Sequence, residues 1–260
     1  MRSVQDDACD WRTLAYAFGS LLTQSRASSP ITAPDPNERL VSLVVHELRT
    51  PVAIIKAYAE LIESQAAAKQ PNLNGSREVM AHILEQADLI ADWVDAMLEV
   101  QRLQLGELPL DLQPLDALRL AWMVAEEIQQ TTQRHQVRVV SDSPPPLVLG
   151  DRARLRQVLT NLLENAVRYA SGGTIEVHVS GEPKSAHALI AVSDQGPGLE
   201  AGERDRIFAP FEQAQRHSVG LGLGLYLSRQ IARLHGGDLW AESSGRLQGS
   251  TFVLTLPLAR

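Results

Sequence analysis

Apolar residues recur at three- and four-residue intervals along two stretches in the first half of the chain, and this spacing predicts two amphipathic helices. The first runs from about Asn37 to Ala68, with a stripe formed by Leu40, Leu43, Val44, Leu48, Val52, Ile55 and Ala59. The second runs from near Ser76 to Gln104, with a coiled-coil-like stripe formed by Val79, Ile83, Ala87, Ile90, Val94 and Met97. A turn at 70–75 makes them an antiparallel hairpin. Two helices alone bury little apolar surface, so we expect a homodimer that forms a four-helix bundle.

In the second half of the chain, strand-like and helical patterns alternate. The strand-like segments are 137–140, 147–149, 174–179, 188–194, 238–242 and 251–256. The helical segments are 115–133, 152–170 and 223–234. Helices that come between strands predict an α/β sandwich, in which one mixed sheet carries helices on a single face. The predicted fold class is therefore α + α/β, with the hairpin at 36–106 and the sandwich at 110–260.

The first 35 residues carry weaker signals. Residues 11–22 have the apolar spacing of a short helix, and a linker is indicated by Ser28, Ser29, Pro30, Pro34 and Pro36. We treat 1–35 as a lead-in or linker, and the pattern supports a partner-binding helix and a disordered arm equally.

The overall composition limits the classes of protein to which the chain can belong. The chain has 260 residues, of which 44% are hydrophobic and 21% charged, and this is typical of a globular protein with two modest cores. The net charge of −7 argues against non-specific nucleic-acid binding. Cys9 is the single cysteine, which excludes an internal disulfide and favours a reducing compartment. No run reaches the roughly 18 apolar residues of a membrane span. We therefore expect a cytoplasmic protein, or the cytoplasmic part of a membrane sensor.

One histidine in the first predicted helix has unusual neighbours. His46, Glu47 and Thr50 lie on adjoining faces of the helix, because positions three and four apart meet on its surface. Pro51 lacks an amide hydrogen, so the carbonyl of Glu47 loses its partner and we expect a bend there. A lone histidine on a helix is more often structural or solvated than catalytic. The role of His46 therefore depends on what the rest of the chain provides.

A polar stripe follows the predicted helix at 152–170. It consists of Asn161, Asn165, Arg168 and Tyr169. Asparagine is a mediocre helix former, so two asparagines one turn apart need a reason. A solvated face is one explanation. The other is an amide oxygen that ligates Mg²⁺ together with phosphate oxygens, since a neutral amide adds no repulsion to a triphosphate.

Asp194 comes directly after an apolar strand, and Gly196 and Gly198 follow it. A carboxylate at a strand end can accept a hydrogen bond from an adenine amino group, and the two glycines permit positive φ and close backbone approach. Ordinary turns often have this pattern as well. Phe208 and Phe211 come next, and we expect these two aromatic rings to pack against other apolar residues.

Three further glycines precede the helix at 223–234, namely Gly220, Gly222 and Gly224. Their backbone amides and the positive N-terminus of the helix can bind phosphates. A dinucleotide-binding turn has similar spacing. Here, however, no strand precedes the glycines immediately and no acidic residue lies at the position that would bind a ribose. The context therefore argues against that alternative.

These segments resemble, in order, the H-, N-, first glycine-rich, F- and second glycine-rich boxes of sensor histidine kinases, over about 37–258. Residues 46–51 (HELRTP) resemble the H-box, and residues 161–169 (NLLENAVRY) resemble the N-box. The resemblance implies a sandwich of Bergerat (GHKL) type that binds ATP and Mg²⁺, with Asn165 at the metal-ligand position. It also implies that His46 accepts the γ-phosphoryl group of ATP.

The same resemblance implies roles for the neighbours of His46 and a partner. Glu47 can hydrogen-bond the second ring nitrogen of His46, and Thr50 matches the position that orients water for dephosphorylation of the partner. The phosphoryl group would pass to an aspartate of a response-regulator receiver domain. The resemblance also implies that Phe208 and Phe211 pack in the base of a lid over the nucleotide. One departure is that Glu212 and Gln213 follow Phe211 where many relatives have a basic residue. Arg216 or His217 could supply that charge instead.

Three alternative functions share parts of this pattern. An ATP-driven conformational machine of the same nucleotide fold would need a carboxylate on the N-box helix, where this chain has Asn161. A non-enzymatic scaffold would leave the polar residues and glycines unexplained. A protein-serine kinase on this fold would leave the HELRTP hairpin unexplained.

Overall fold

The first half of the chain folds as two long helices, α1 (Pro36–Ala66) and α2 (Leu73–Gln104). The computed structural model describes residues 36–66, 73–141, 145–182, 186–212 and 220–259. The lead-in at 1–35 and the first half of the predicted turn (70–72) lie outside these residues. The α2 helix begins at Leu73, earlier than the predicted start near Ser76. Pro51 lies inside α1.

The two helices pair through an aromatic contact. The rings of Tyr58 and His82 are stacked with their centroids 5.3 Å apart and an interplanar angle of 13°. Because the chain reverses direction between the helices, moving equally far along both from this pair places His46 at the level of Val94.

Burial along α2 differs from the predicted stripe. Trp93 and Val100 are buried (7% and 6% exposed), whereas Val94 is 41% exposed. The reason is that Trp93 and Val100 pack against apolar residues of the second domain, which the helical periodicity alone does not reveal. Among the hairpin side chains that the structure describes, six apolar ones remain 41–58% exposed, namely Val52, Leu61, Met80, Leu84, Val94 and Leu98.

The described residues of the second half of the chain form seven strands. They are β1 (Gln113–Asp116), β2 (His135–Ser141), β3 (Leu147–Gly150), β4 (Gly173–Glu182), β5 (His187–Asp194), β6 (Asp238–Glu242) and β7 (Ser250–Pro257). Five of them form a mixed sheet in the order β2-β4-β5-β7-β6. The β2–β4 pair is parallel and the other pairs are antiparallel. In β4, Ile175 and Val177 are fully buried and Glu176 between them is exposed, so the core lies on one face.

Helices cover that face of the sheet. They are α3 (Ala117–Thr131), α4 (Arg152–Tyr169), the short α5 (Glu203–Arg206) and α6 (Gly224–Leu234). Asp116 caps α3 by accepting a hydrogen bond from the amide of Arg119 (2.9 Å). Asp151 caps α4 by accepting from the amides of Ala153 (2.9 Å) and Arg154 (3.2 Å). The predicted fold class, a helical hairpin followed by an α/β sandwich, is confirmed.

The prediction of one sheet was incomplete, because β1 and β3 form a separate two-stranded sheet. Segment 113–116 overlaps the start of the predicted helix at 115–133. It forms an antiparallel strand in which Pro114 lies opposite Leu149. A four-residue strand that contains proline has almost no periodic signal, since proline cannot donate to the ladder. The helix begins only at Ala117, where the Asp116 cap stops it from extending backwards.

Asp238, the first residue of β6, connects the sheet to α6 through ion pairs. Its carboxylate accepts from Arg229 (3.0 Å) and Arg233 (3.1 Å). Burial alone would raise the pKa of Asp238, but the hydrogen bonds from Arg229, the Leu239 amide and Arg233 outweigh it and lower the pKa to about 2. A depressed carboxyl pKa stabilises the fold above the unfolded-state pKa, and that stability is lost as the pH falls through the folded-state value.

We therefore expect Asp238→Asn to lower the melting temperature at pH 7 by about 2–4 °C, which corresponds to roughly 1 kcal/mol for a partly exposed ion pair. The difference from the wild type should narrow as the pH falls from about 4 to about 2, because the wild-type carboxylate is then protonated too. Thermal unfolding followed by circular dichroism at several pH values measures this. A difference that stayed constant down to pH 2 would contradict it.

Candidate functional site

A cavity of about 300 Å³ lies between α4, the end of β5, the glycine segment before α6, and α2. The cavity is lined by nine of the residues that the sequence analysis identified as candidates, namely Asn161, Asn165, Arg168, Tyr169, Asp194, Gly198, Gly220, Gly222 and Gly224. Three others, Gly196, Phe208 and Phe211, support its walls from outside the lining. Segments that are far apart in the chain thus contribute to one cavity.

The two asparagines of α4 face α6. The amide nitrogen of Asn161 donates to the Ser228 hydroxyl (2.9 Å), and that of Asn165 donates towards the Asn161 side-chain oxygen (3.5 Å). Ser228 is buried. A methyl group on Gly224 would overlap the side-chain oxygen of Asn161, so a larger residue at 224 would displace the Asn161 side chain. The Asn165 hydrogen bond engages its amide nitrogen, so its oxygen is the atom that can ligate a cation.

Asp194 ends β5 at the other end of the polar lining. Its carboxylate accepts from the amide of Gly196 at 2.7 Å. Burial raises the pKa of Asp194, and the hydrogen bonds from the amides of Gly196 and Ser250 oppose the rise only in part. An ionised carboxylate in such a half-buried place is a strong acceptor for a ligand N–H group, because little water competes for it.

The turn after Asp194 requires glycine at 198. Gly198 has φ +69°, and a methyl group there would overlap the carbonyl oxygen of Gly245. The same close approach lets the amide of Leu247 donate to the carbonyl of Pro197 at 2.7 Å. This contact brings the loop between β6 and β7 to the cavity.

Arg246 reaches the cavity through that loop. Its guanidinium donates hydrogen bonds to the carboxylates of Glu200 (3.1 Å) and Glu203 (2.9 Å). These hydrogen bonds raise the pKa of Arg246, and the one to Glu200 has the larger effect. Glu203 is buried at the start of α5. Sequence reasoning did not identify Arg246, because an isolated arginine in a loop carries no pattern that links it to residues more than forty positions earlier.

The two phenylalanines have different environments. Phe208 is buried, with its ring centroid 6.4 Å from that of Phe252 and the Arg229 guanidinium 5.0 Å from its own centroid. Phe211 has φ 67°, and its amide donates to the carbonyl of Gly222 at 3.1 Å. The phenylalanine segment is thereby tied to the glycine segment. Arg216 and His217, the candidate lid cations, lie outside the described residues.

The glycine segment at 220–224 lines the cavity along its whole length, and its two leucines also contact α2. Gly220 and Gly222 have φ +136° and +68°, conformations that favour glycine, and both line the cavity together with Gly224. Leu221 and Leu223, which alternate with the glycines, are 5% and 2% exposed and pack against Trp93 of α2. The α6 helix begins at Gly224, so its N-terminus lies at the cavity.

The fourth wall of the cavity comes from the hairpin. Leu89, Asp92, Trp93 and Ala96 line it from α2. Burial raises the pKa of Glu164 on α4, Asp92 adds to the rise, and Arg168 opposes it. The sequence did not predict this wall. Its one available signal was Trp93, a large aromatic residue beside the stripe position Val94.

The structure describes the side chains of some H-box residues but not that of His46. Glu47 is half-buried and Thr50 is exposed on α1. Leu48 packs against the apolar cluster that contains Trp93. The backbone of His46 is part of α1, and its side chain lies outside the described residues. The H-box level of the hairpin therefore lies beside the cavity wall, as the pairing of Tyr58 with His82 also indicates.

Comparison with known families decides what this arrangement is. Residues 37–106 match the family described as the His Kinase A (phospho-acceptor) domain. Residues 150–260 match the family of histidine kinase-, DNA gyrase B- and HSP90-like ATPases. The two matches follow each other in one chain and together cover most of it. The chain belongs to the sensor histidine kinase family. The resemblance inferred from the boxes is thus confirmed.

Individual sensor kinases are similar over most of the chain. The adaptive-response sensory kinase SasA of Thermosynechococcus vestitus is 31% identical over 85% of this chain and 60% of its own length. The sensor histidine kinase MtrB of Mycobacterium bovis is 30% identical over 85% of this chain and 39% of its own. The structure of full-length ShkA in complex with AMPPNP superimposes with a TM-score of 0.64 at 29% identity, over 85% of this chain and 46% of ShkA.

The chain spans about 60% of the length of the SasA relatives that it matches. Among the described helices, none is long and apolar enough to cross a membrane. Within the sensor histidine kinase family, then, this chain holds the phospho-acceptor hairpin and the ATPase-type domain, and the box residues of that domain surround one cavity.

Proposed function

We propose that this chain is an ATP-dependent protein-histidine kinase that phosphorylates its own His46 and passes the phosphoryl group to an aspartate of a response-regulator receiver domain. The observation that carries the proposal is the single cavity lined by Asn161, Asn165 and Asp194 together with the glycine segment, with a wall at the level of His46. The ATPase-type family match and the AMPPNP complex of the similar kinase ShkA support a nucleotide as its ligand.

Each end of the cavity suits one part of ATP. The Asp194 carboxylate can accept a hydrogen bond from the adenine amino group. The amides of the glycine segment and the N-terminus of α6 can bind phosphate oxygens. The oxygen of Asn165 fits Mg²⁺, which keeps most of its ligands as phosphate and water oxygens and, when bound, neutralises phosphate charge. Asn161, Arg168 and Tyr169 complete the lining.

Phosphoryl transfer in this arrangement depends mainly on positioning and charge. A neutral ring nitrogen of His46 attacks the γ-phosphorus, so a nitrogen–phosphorus bond forms while the bond to the oxygen of the ADP leaving group breaks. Glu47 accepts a hydrogen bond from the other ring nitrogen and stabilises the imidazolium that develops. In the second step the phosphoryl group leaves His46 for a carboxylate oxygen of the receiver aspartate. Thr50 would orient water for the reverse, dephosphorylating activity.

The hairpin would form a homodimer. Its six exposed apolar side chains, defined above, are more than a hairpin in water would leave uncovered, and a second copy would bury them in a four-helix bundle. In a dimer whose two-fold axis runs along the bundle, both copies of His46 lie at the same level. The nucleotide cavity of either chain could then serve a histidine at that level.

The test uses the whole chain with Mg²⁺ and γ-labelled ATP. We expect label on the protein that is lost in acid and stable in base, as phosphohistidine is, and transfer of that label to a subset of a receiver-domain panel. Steady ATP hydrolysis without labelled protein would instead indicate a conformational ATPase, and failure to bind a fluorescent ATP analogue would indicate a scaffold. Either result would refute the proposal.

A further inference from the structure

The ATPase-type domain rests on α2 through an apolar cluster, here called the docking cluster. Its buried members are Trp93, Val100, Leu221, Leu223 and Leu227. Trp93 and Val100 come from the hairpin, and the three leucines come from the glycine segment and α6. Apolar contact of this kind is non-directional, so by itself it holds the two surfaces together without fixing their register.

A polar contact beside the docking cluster can fix the register of the two surfaces, because hydrogen bonds and ion pairs are directional. One carboxylate oxygen of Glu99 accepts from the Gln157 side-chain amide at 2.6 Å, and the other pairs with the Arg154 guanidinium. Arg154 also donates to the Gln157 side-chain oxygen at 3.1 Å, which closes a three-membered network. The side chains of Glu99 and Arg154 are only 15% and 27% exposed. A half-buried, charge-assisted network is geometrically specific and is weakly screened.

The position of this network on α4 matters for the cavity. Arg154 and Gln157 lie in the first turns of α4, and Asn161 and Asn165 follow on later turns of the same rigid helix. None of Glu99, Arg154 and Gln157 lines the cavity. The network can therefore set where the cavity lies along α2 without touching a ligand inside it.

We infer that Glu99 is a positioning residue for phosphoryl transfer to His46: through Arg154 and Gln157 it holds the nucleotide cavity at the level of the H-box. This inference rests on the proposed kinase function. Aligning two reacting groups on tethered domains raises their effective concentration, and loosening that alignment lowers the rate of the step but leaves each binding site intact. Glu99 acts through the alignment and does not touch the reacting atoms.

The test measures the rate and the KM for ATP of histidine phosphorylation in the whole chain. For Glu99→Ala we expect kcat to fall by roughly tenfold, since a hydrogen-bonded, partly buried charge is lost. The KM for ATP and the affinity for a fluorescent ATP analogue should stay within about twofold, because the cavity lining is unchanged. Glu85→Ala, an exposed glutamate on the same helix, is the matched control and should behave as the wild type.

Exchange of the two charges tests the contact itself. Arg154→Glu alone should be as slow as Glu99→Ala, and the double variant Glu99→Arg with Arg154→Glu should regain most of the lost rate. An unchanged or faster rate in Glu99→Ala, a loss confined to ATP affinity, or an exchange that restores nothing would each overturn the inference. These results are distinct from failure of the proposed function, in which the wild-type chain itself would form no phosphohistidine.

Discussion

Replacement of His46 by glutamine is expected to reduce phosphoprotein formation to below about one thousandth of the wild-type rate, because the variant lacks the nucleophile. Glutamine is a good helix former, so α1 should persist. ATP affinity should remain within about twofold, since the proposed nucleotide contacts come from α4, β5 and the glycine segment. The measurement is acid-labile incorporation from γ-labelled ATP, with binding of a fluorescent analogue measured in parallel.

A second histidine of the hairpin provides the control. His82 lies on α2, stacks on Tyr58 and has an exposed side chain. His82→Gln should retain the wild-type rate within a few fold, although the hairpin loses one stacking contact. If His46→Gln still took up acid-labile phosphate, His46 would not be the acceptor. If both variants lost phosphorylation equally, the loss would reflect the hairpin fold rather than the chemistry.

The second large effect is expected at Asp194. Its carboxylate accepts from the amides of Gly196 and Ser250, so the adenine amino group would be a third donor. Asparagine offers one oxygen in place of two, and its NH₂ group would face a donor. We therefore expect Asp194→Asn to weaken ATP binding by about tenfold to a hundredfold, the usual range for a hydrogen bond to a charged group. Titration with a fluorescent ATP analogue measures this.

Stability should change little in the same variant. Burial raises the pKa of Asp194, so the ionised group costs the fold some stability, and this cost grows as the pH rises through the folded-state pKa. Asparagine removes that cost but loses one acceptor for a backbone amide. The two effects oppose each other, and we expect the melting temperature to remain within about 3 °C of the wild type.

Asp205→Asn, at an exposed position of α5, is the matched control for Asp194→Asn. It should leave both ATP affinity and melting temperature unchanged. Asp194→Asn with wild-type affinity would place the adenine elsewhere. A loss of affinity accompanied by a large fall in melting temperature would assign Asp194 a structural role instead.

The sequence predicts well those elements whose structure depends only on residues within the element itself. Helical periodicity and the Asp151 cap are local, so α4 and the face shared by Asn161 and Asn165 follow from the sequence. The glycine positions follow for the same reason, because positive φ at Gly198 and Gly222 is a local requirement of the backbone. Their convergence on one cavity follows from family resemblance rather than from any single motif.

The elements that sequence does not predict depend on contacts between distant segments. The β1 strand exists because it pairs with β3, and Pro114 hides its pattern. Arg246 lies at the cavity because the backbone of the next residue, Leu247, is hydrogen-bonded to that of Pro197. Trp93 illustrates the problem most clearly, because its burial on α2 depends on leucines of another domain that helical spacing alone does not reveal.

The wall that α2 contributes to the cavity has a consequence for repeated turnover. A nucleotide bound there would contact Asp92 and Trp93 on one side, so parting of the two domains would open that side for the release of ADP. Separation would uncover Leu221 and Leu223, at a cost of about 1.5–3 kcal/mol for each leucine that becomes fully exposed. Exchange of ADP for fresh ATP, rather than the bond-making event, is then the step that we expect to pace successive cycles.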